Sequence, residues 1–208
     1  WPAFVIENPR ARKPQLAMGW SPERGYFGPA DVRTSEMAMP YFLAAGSRQA
    51  IAAELWYHTR VERGRVAGRE ILHPELPLFT ANYGLAWHPL AGRADREGID
   101  LDANAREAAL ANRAFCRQLA AKYPAYADAN GGWWGLSAGD GPHGYVAVGP
   151  VERDVDGTAW PLAALAALPW IGDELQADLM QWSTSPLWPR VLGDYGLAPL
   201  QLAGGAEW

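Results

Sequence analysis

The sequence predicts a mainly helical fold in which paired helices carry long loops on one face. Residues 102–122 place apolar side chains on one helical stripe, and other helix-compatible segments follow one another with short turns between them. Strands and helices do not alternate along the chain, which argues against a Rossmann fold or an α/β barrel. Of the 208 residues, 49% are hydrophobic and 20% are charged, which is typical of a folded domain rather than a disordered segment.

The first half of the chain is predicted to hold two helices between loop-rich stretches. Residues 1–33 are expected to be irregular because prolines and glycines recur throughout them. A helix is predicted over residues 34–45, since Thr34 or Ser35 can cap it and a glycine follows its last residue. Ser47 is expected to cap a second helix with three apolar residues on one face: Ile51, Leu55 and Trp56. Residues 61–100 are predicted to be loop-rich.

The second half contains the clearest predicted helix and a long glycine-rich connection. The helix over 102–122 is expected to have Asp102 as its N-cap and to end before Pro124. The connection covers residues 128–160, and Tyr145–Val148 is expected to form a short strand inside it. Three further helices are predicted, over residues 161–168, over 173–182 and, as a short one, around 187–192.

Charge and cysteine content exclude several functional classes. Eighteen basic and 23 acidic residues give a net charge of −5 without a basic patch, which argues against a nucleic-acid binder. No apolar run approaches the roughly 18–20 residues of a membrane span. The single cysteine, Cys116, excludes an internal disulfide and a cysteine-based zinc site. The chain opens at Trp1 with no visible signal peptide, so we interpret it as a piece of a longer protein.

The sequence contains no complete motif for binding a cofactor or a metal ion. Neither G-x-x-x-x-G-K-[ST] nor G-x-G-x-x-G occurs, and Ser137 lies outside a G-x-S-x-G motif. Residues 154–157 lack the later ligands of a calcium loop. The histidines never stand at i, i+4, and we interpret each as a surface or hydrogen-bonded loop residue: His58, His73, His88 and His143. We therefore expect no cofactor and no metal site.

Tryptophans and carboxylates are the remaining candidates for function. The 11 tryptophans either fill gaps between helices or offer flat rings to sugars, and the adjacent Trp133 and Trp134 in a glycine-rich loop favour a ligand. Glu36, in the first turn of its helix, is either stabilised as an anion by the helix dipole or directed into a cleft. Asp140 and Asp156 lie in the glycine-rich connection, although Asp140 also fits an ordinary turn. Two carboxyl groups among aromatic rings are what glycoside hydrolysis requires.

Four segments of the chain carry short motifs whose order and spacing can be compared with those of known families. They are Gly-Trp-Ser-Pro followed by Thr-Ser-Glu within 19–47, Gly-Ile-Asp within 98–113, Trp-Gly-Leu-Ser-Ala-Gly-Asp-Gly-Pro within 134–145, and Asp-Gly-Thr-Ala within 156–169. In this order they resemble the glycoamylase-like family. That family includes bacterial endo-β-1,2-glucanases and a domain of cyclic β-1,2-glucan synthases. The resemblance covers about residues 16–170.

The resemblance implies an (α/α)6 barrel of paired helices with a cleft at one end. Residues 1–208 would then be a single domain or a fragment of one, corresponding roughly to the second half of the barrel. Glu36 matches a candidate catalytic carboxyl, and Asp140 and Asp156 match acidic loop positions at the cleft. Six aromatic residues are the predicted substrate contacts: Trp20, Tyr26, Trp87, Trp133, Trp134 and Tyr145. An oligo- or polysaccharide substrate and a periplasmic or secreted setting follow from the same resemblance.

The chain departs from the family pattern at four positions. Family members often have His, Asp and Arg where this chain has Leu85, Pro89 and Ala91. Many members also carry a glutamate where this chain has Gly131, and Asp128 is the nearby carboxylate that would compensate.

Three hypotheses remain open from the sequence. The first is a glycoside hydrolase or transglycosylase acting on β-linked glucan, with Glu36 as general acid and Asp140 or Asp156 as base. The second is a non-catalytic glycan-binding domain that keeps the aromatic residues but has lost the acid pair. The third is a helical structural domain whose tryptophans belong to the core.

Overall fold

The computed structural model describes residues 2–127, 132–141, 143–194 and 196–201. Helices are the largest class of secondary structure and, with short 3-10 segments included, make up about 38% of these residues. The six α-helices are α1 (Ser35–Ala45), α2 (Phe79–Asn82), α3 (Leu101–Gln118), α4 (Pro161–Leu165), α5 (Gly172–Ser183) and α6 (Trp188–Val191). The described residues do not show an (α/α)6 barrel, so that architecture stays a prediction.

A three-stranded antiparallel sheet occupies the N-terminal stretch that the sequence predicted to be irregular, so that prediction is wrong. Its strands are β1 (Val5–Asn8), β2 (Lys13–Ser21) and β3 (Gly25–Pro29), in the order β1-β2-β3. The first half of β2 pairs with β1 and its second half pairs with β3. Pro14 therefore has a neighbouring strand on one side only, the edge position at which a sheet tolerates proline.

Three two-stranded hairpins complete the β-structure of the described residues. They are β4 (Arg63–Val66) with β5 (Arg69–Leu72), β6 (Ala138–Gly141) with β7 (Gly144–Ala147), and β8 (Leu192–Gly193) with β9 (Gly196–Leu197). The first hairpin turns at Ala67 and Gly68, whose φ angles of 48° and 82° suit a tight turn between twisted strands. The strand predicted over Tyr145–Val148 is confirmed as β7, shifted by one residue.

The boundaries of α1 follow the sequence, whereas the helix predicted after it is wrong. Thr34 Oγ1 accepts a hydrogen bond from Met37 N at 3.3 Å, and Gly46 follows the last helical residue. The segment after Ser47 instead forms a 3-10 helix over Ala53–His58, with no side-chain hydrogen bond at its N-cap. Without such a cap, and with so few residues, an α-helix has little to nucleate it.

The helix α3 begins earlier than predicted because Asp100, and not Asp102, is its N-cap. Asp100 Oδ1 accepts a hydrogen bond from Ala103 N at 2.9 Å. The helix ends at Gln118, four residues before the predicted end. Farther along the chain, α5 and α6 confirm the predicted helices, whereas α4 ends at Leu165 rather than at residue 168.

The hydrophobic core is divided between one large cluster and two small ones. The large cluster surrounds α3, α5 and the segment 133–136. One small cluster joins β2 to α1 through Leu16 and Tyr41, and the other places Ala38 of α1 against Leu72 and Ile99. The helix α1 is thus fixed from two sides. None of the described helices combines the length and the apolar character needed to cross a membrane.

Candidate functional site

Glu36 lies in the first turn of α1, where the N-cap Thr34 fixes the direction of the helix. The side chain is half-buried. Burial raises the pKa of Glu36 above its ordinary value, because water no longer fully solvates the charged form. A carboxyl group with a raised pKa keeps its proton closer to neutral pH, which is what a general acid requires.

A buried arginine holds the chain immediately before α1. The side chain of Arg33 is 1% exposed and pairs with Asp95 at 3.2 Å and with Glu97 at 2.5 Å. Its Nε also donates to Thr59 Oγ1 at 3.0 Å, and its guanidinium lies over the ring of Trp56. A buried charge is tolerated only when it is paired and hydrogen-bonded in this way. The network positions the start of α1, three residues ahead of Glu36.

The 3-10 helix over Tyr83–Ala86 packs directly against the first turn of α1. A Cβ atom on Gly84 would lie 1.7 Å from the carbonyl oxygen of Ser35, so only glycine allows this approach. Gly84 N also donates to Ser35 Oγ at 3.3 Å. Tyr83 and Trp87 flank this contact in sequence, and their side chains are 46% and 64% exposed. The ring of Trp87, one of the predicted substrate contacts, is therefore accessible to solvent.

The same segment shows what occupies one of the positions where the chain departs from the glycoamylase-like pattern that it resembles. Leu85 packs against a small buried cluster that contains Ala38, Leu72 and Ile99. Of the other positions of interest, Pro89 and Ala91 are exposed, whereas Gly131 and the nearby Asp128 lie outside the described residues.

Asp156 lies beside β6, the strand that carries Asp140, at the hairpin formed by β6 and β7. Asp140 stands on β6, and Asp156 Oδ2 lies 3.8 Å from the position that a Cβ atom on the next residue, Gly141, would take. Asp156 Oδ1 accepts a hydrogen bond from Thr158 N at 2.8 Å, which fixes its side chain in a turn. Asp140 is exposed, whereas Asp156 is half-buried.

A cavity of about 290 Å³ adjoins Asp140. Asp140, Thr158 and Arg190 contribute its polar side chains, together with Gln201. Thr158 is 1% exposed, and its Oγ1 makes no hydrogen bond within the described part of the chain. The sequence analysis missed Thr158 and Arg190, since neither belongs to a pattern that marks a site. Their proximity arises only when α6 packs beside the loop after Asp156.

Three further predicted substrate contacts are exposed aromatic residues on strands. Trp20 and Tyr26 stand opposite each other on β2 and β3, with 56% and 39% of their surfaces exposed. Tyr145 stands opposite Asp140 on β7 and is 71% exposed. Open aromatic faces of this kind can stack on the apolar face of a sugar ring.

Trp133 and Trp134 are core residues, which corrects the expectation that this pair contacts substrate. Both are fully buried. The ring of Trp133 stacks on Trp182 of α5 at a centroid distance of 4.8 Å, and Trp134 Nε1 donates to Asp178 at 2.8 Å. Neither ring has an open face for a sugar. The glycines beside them permit close packing against the rest of the chain, as at Gly132, and do not mark a surface loop.

The helix α2 connects the two carboxylate regions. Ser35 Oγ, at the start of α1, donates to the carbonyl oxygen of Thr80 at 3.1 Å, and Leu78 N donates to Leu136 O at 3.2 Å. Asn112 of α3 holds Leu136 from the other side, since its amide donates to Leu136 O and accepts from Leu136 N. Within the described residues no hydrogen bond or ion pair joins Glu36 to Asp140 or Asp156. The three carboxylates are anchored to one framework without direct contact.

Comparison with protein families gives a match over most of the chain. The family described as "Putative glucoamylase" matches residues 30–199. No curated protein sequence matches the chain.

Solved structures with a similar fold have related descriptions. A "putative glucoamylase" from Bacteroides fragilis is 27% identical with a TM-score of 0.74, over 90% of this chain and 46% of its own. An endo-β-1,2-glucanase from Chitinophaga pinensis, in complex with sophorotriose and glucose, is 24% identical with a TM-score of 0.74, over 88% and 46%. A β-1,2-glucanase from Parabacteroides distasonis is 20% identical with a TM-score of 0.77, over 90% and 30%. The chain thus spans half or less of each.

Proposed function

Because the chain belongs to the glycoamylase family, we propose that it is part of a glycoside hydrolase that acts on β-linked glucan. Residues 1–208 would form part of a single catalytic domain. The observation that carries the proposal is Glu36, a half-buried carboxyl group with a raised pKa at the start of a helix held on both sides. Glu36 is the general acid, which protonates the glycosidic oxygen as the bond to the leaving sugar breaks.

Asp140 or Asp156 is the second carboxylate of the proposed mechanism. A hydrogen bond from Thr158 N orients the carboxylate of Asp156, and Asp140 lines the cavity beside β6. In this role the carboxylate either activates a water molecule or attacks the anomeric carbon itself. Trp20, Tyr26, Trp87 and Tyr145 supply the exposed rings on which sugar units stack.

The substrate class is a β-1,2-glucan or a closely related β-glucan. Two structures with this fold are described as β-1,2-glucanases, and one of them is a complex with sophorotriose and glucose. The aromatic surfaces of this chain suit an extended oligosaccharide. Transfer to a second sugar in place of water would use the same acid and the same rings.

Sugar release from β-1,2-, β-1,3- and β-1,4-glucans by the full-length parent protein tests the proposal. We expect release from the β-1,2-glucan and a loss of about 10²- to 10⁴-fold in Glu36→Gln, which cannot donate a proton. Glu152→Gln, which changes an exposed carboxyl far along the chain, is the matched control and should keep full activity. Undiminished turnover by Glu36→Gln would remove this residue from the mechanism.

A non-catalytic glycan-binding domain is the second candidate, and the packing of Leu85 favours it. An apolar residue fills the position where the family often has a histidine, so one polar group of the family pattern is missing. If neither the parent nor Glu36→Gln releases sugar while β-1,2-glucan still changes tryptophan fluorescence, binding without hydrolysis is the better description.

A further inference from the structure

Three side chains that can bind a metal ion meet at the base of the hairpin formed by β4 and β5. Glu62 directly precedes β4, His73 directly follows β5, and Glu75 lies two residues later. One ligand atom from each lies within 4.8 Å of those of the other two. The main chain fixes the geometry, because His73 N donates to Glu62 O at 2.9 Å and His73 has a φ of 49°.

The hydrogen bonding of His73 leaves one ring nitrogen directed at the carboxylates. Nε2 lies 3.1 Å from the carbonyl oxygen of Arg60, which can only accept, so Nε2 carries the hydrogen. Nδ1 then keeps its lone pair. It is buried and has no hydrogen-bond partner among the residues that the structure describes. The nearest carboxylate oxygen, Glu75 Oε1, is 3.7 Å away and is also an acceptor. A cation bound by both atoms would satisfy these two acceptors together.

The charges around His73 suit a cation that enters from solvent. The imidazole is 1% exposed, whereas the side chains of Glu62 and Glu75 are 50% and 40% exposed. Arg60 forms an ion pair with Glu62, so one positive charge lies against the two carboxylates. One negative charge remains uncompensated.

We propose that Glu62, His73 and Glu75 form a binding site for a divalent transition-metal ion, with Zn²⁺ as the best fit. Zinc binds imidazole nitrogen and carboxylate oxygen at about 2.0–2.2 Å, so neighbouring ligand atoms lie about 3.4 Å apart. The pair formed by His73 and Glu75 is already close to that separation. The bond from Nε2 to a carbonyl is the usual outer contact of a metal-binding histidine. Water fills the remaining coordination positions.

The ion would join the hairpin to the loop that leads into α2. That loop is tightly packed, since a Cβ atom on Gly149 would lie 2.5 Å from the carbonyl carbon of Glu75. The metal would therefore stabilise the segment that supports Tyr83–Ala86 and, through it, the start of α1. This role does not depend on the proposed function, because no step of glucan hydrolysis uses the ion.

Zinc titration of the full-length parent protein without a histidine tag, in competition with a chelating indicator, tests the site. We expect a site that His73→Asn weakens by about tenfold or more. Asparagine tolerates the left-handed backbone at this position, so the substitution changes the ligand and not the chain path. His143→Asn, the same change at an exposed histidine, should leave affinity unchanged.

Three further measurements decide the outcome if His73→Asn folds poorly. Glu75→Gln alters a half-exposed side chain and should weaken zinc binding in the same way. Co²⁺, used as a spectroscopic probe, should give visible absorption bands that both variants lose. At a hundredfold excess over the dissociation constant, Zn²⁺ should raise the melting temperature of the parent protein, because it binds the folded state. No binding by the parent, or binding that survives both substitutions, overturns the proposal.

Discussion

The two groups of tryptophans in this chain differ in what their indole nitrogens and ring faces contact. In the core around α5, Trp134 donates to Asp178, and Trp133 stacks on Trp182. On the surface, Trp20 and Trp87 leave more than half of their area open to solvent. The same residue type thus serves packing in one region and is available for a ligand in the other. The number of tryptophans is therefore a poor indicator of sugar binding, whereas the contacts of each ring show whether its face is open to a ligand.

Asp178→Ala should have the largest effect, because it removes the polar centre of the core region. Asp178 is 1% exposed and accepts from Arg113 at 2.6 and 2.7 Å, from Arg117 at 3.0 Å and from Trp134 at 2.8 Å. Removing one partner of a buried ion pair costs about 3–5 kcal/mol. We expect that loss in the free energy of unfolding, measured with urea.

Asp173→Ala is the matched control for Asp178→Ala, since it changes an exposed aspartate in the first turn of the same helix. It should cost no more than about 1 kcal/mol. Equal losses in the free energy of unfolding of the two variants would show that the buried contacts of Asp178 contribute no more than an exposed aspartate does.

Glu36→Gln should have a smaller effect on stability, and its sign should depend on pH. Burial raises the pKa of Glu36 in the folded protein above the unfolded value, so folding favours the protonated form. The resulting stabilisation is complete below the unfolded pKa and is lost as pH rises through the folded pKa. Glutamine has no such dependence. The stability of the variant relative to the parent should therefore increase from about pH 4 to pH 7.

Urea unfolding of both proteins at the two pH values measures this difference, and Glu23→Gln controls for the loss of a carboxyl group from an exposed position. A relative stability that falls as pH rises would mean that the charged form of Glu36 is the one that folding favours.

Trp87→Ala should have the smallest effect on stability and the clearest effect on binding. Its side chain is 64% exposed, and a surface substitution of this kind changes the free energy of unfolding by about 0.5 kcal/mol or less. If the exposed rings hold substrate, affinity for β-1,2-glucan should fall while the melting temperature stays nearly constant. Isothermal titration calorimetry and thermal unfolding test this together, with Met180→Ala, at an exposed position of α5, as the control. Unchanged affinity would exclude Trp87 from the binding surface.

Parts of the structure with local causes could be predicted from the sequence. The start and end of α1 follow from Thr34 and Gly46, because a cap and a stop act within one turn of the chain. The N-terminal sheet was not predicted, because each proline in this stretch was taken as evidence against regular structure. Pro14 is tolerated in β2 because only one strand, β1, pairs with that half of β2. The position of Pro14 within the sheet is a tertiary feature, and no local sequence pattern contains it.

The candidate site was likewise predicted only in part from the sequence. The carboxylates among aromatic residues, together with the motif resemblance, indicated Glu36, Asp140 and Asp156, whose roles stay predictions. The exposure of Trp87 and Tyr145 agrees with a surface role. The burial of Trp133 and Trp134 was missed, since the glycines around them were interpreted as loop residues. The cluster of Glu62, His73 and Glu75 was missed too, because a hairpin brings it together from positions without helical spacing.

The contact between Asn112 and Leu136 restricts the residue types that evolution can use at one helical position. A carboxamide offers a donor and an acceptor side by side, and here each meets one of the two main-chain atoms of Leu136, at 3.0 and 2.9 Å. Aspartate would lack the donor, leucine would lack both, and glutamine would place them one carbon too far. Asparagine alone satisfies both atoms. This single position therefore carries more information about the path of the chain than the apolar residues around it, which can exchange for one another.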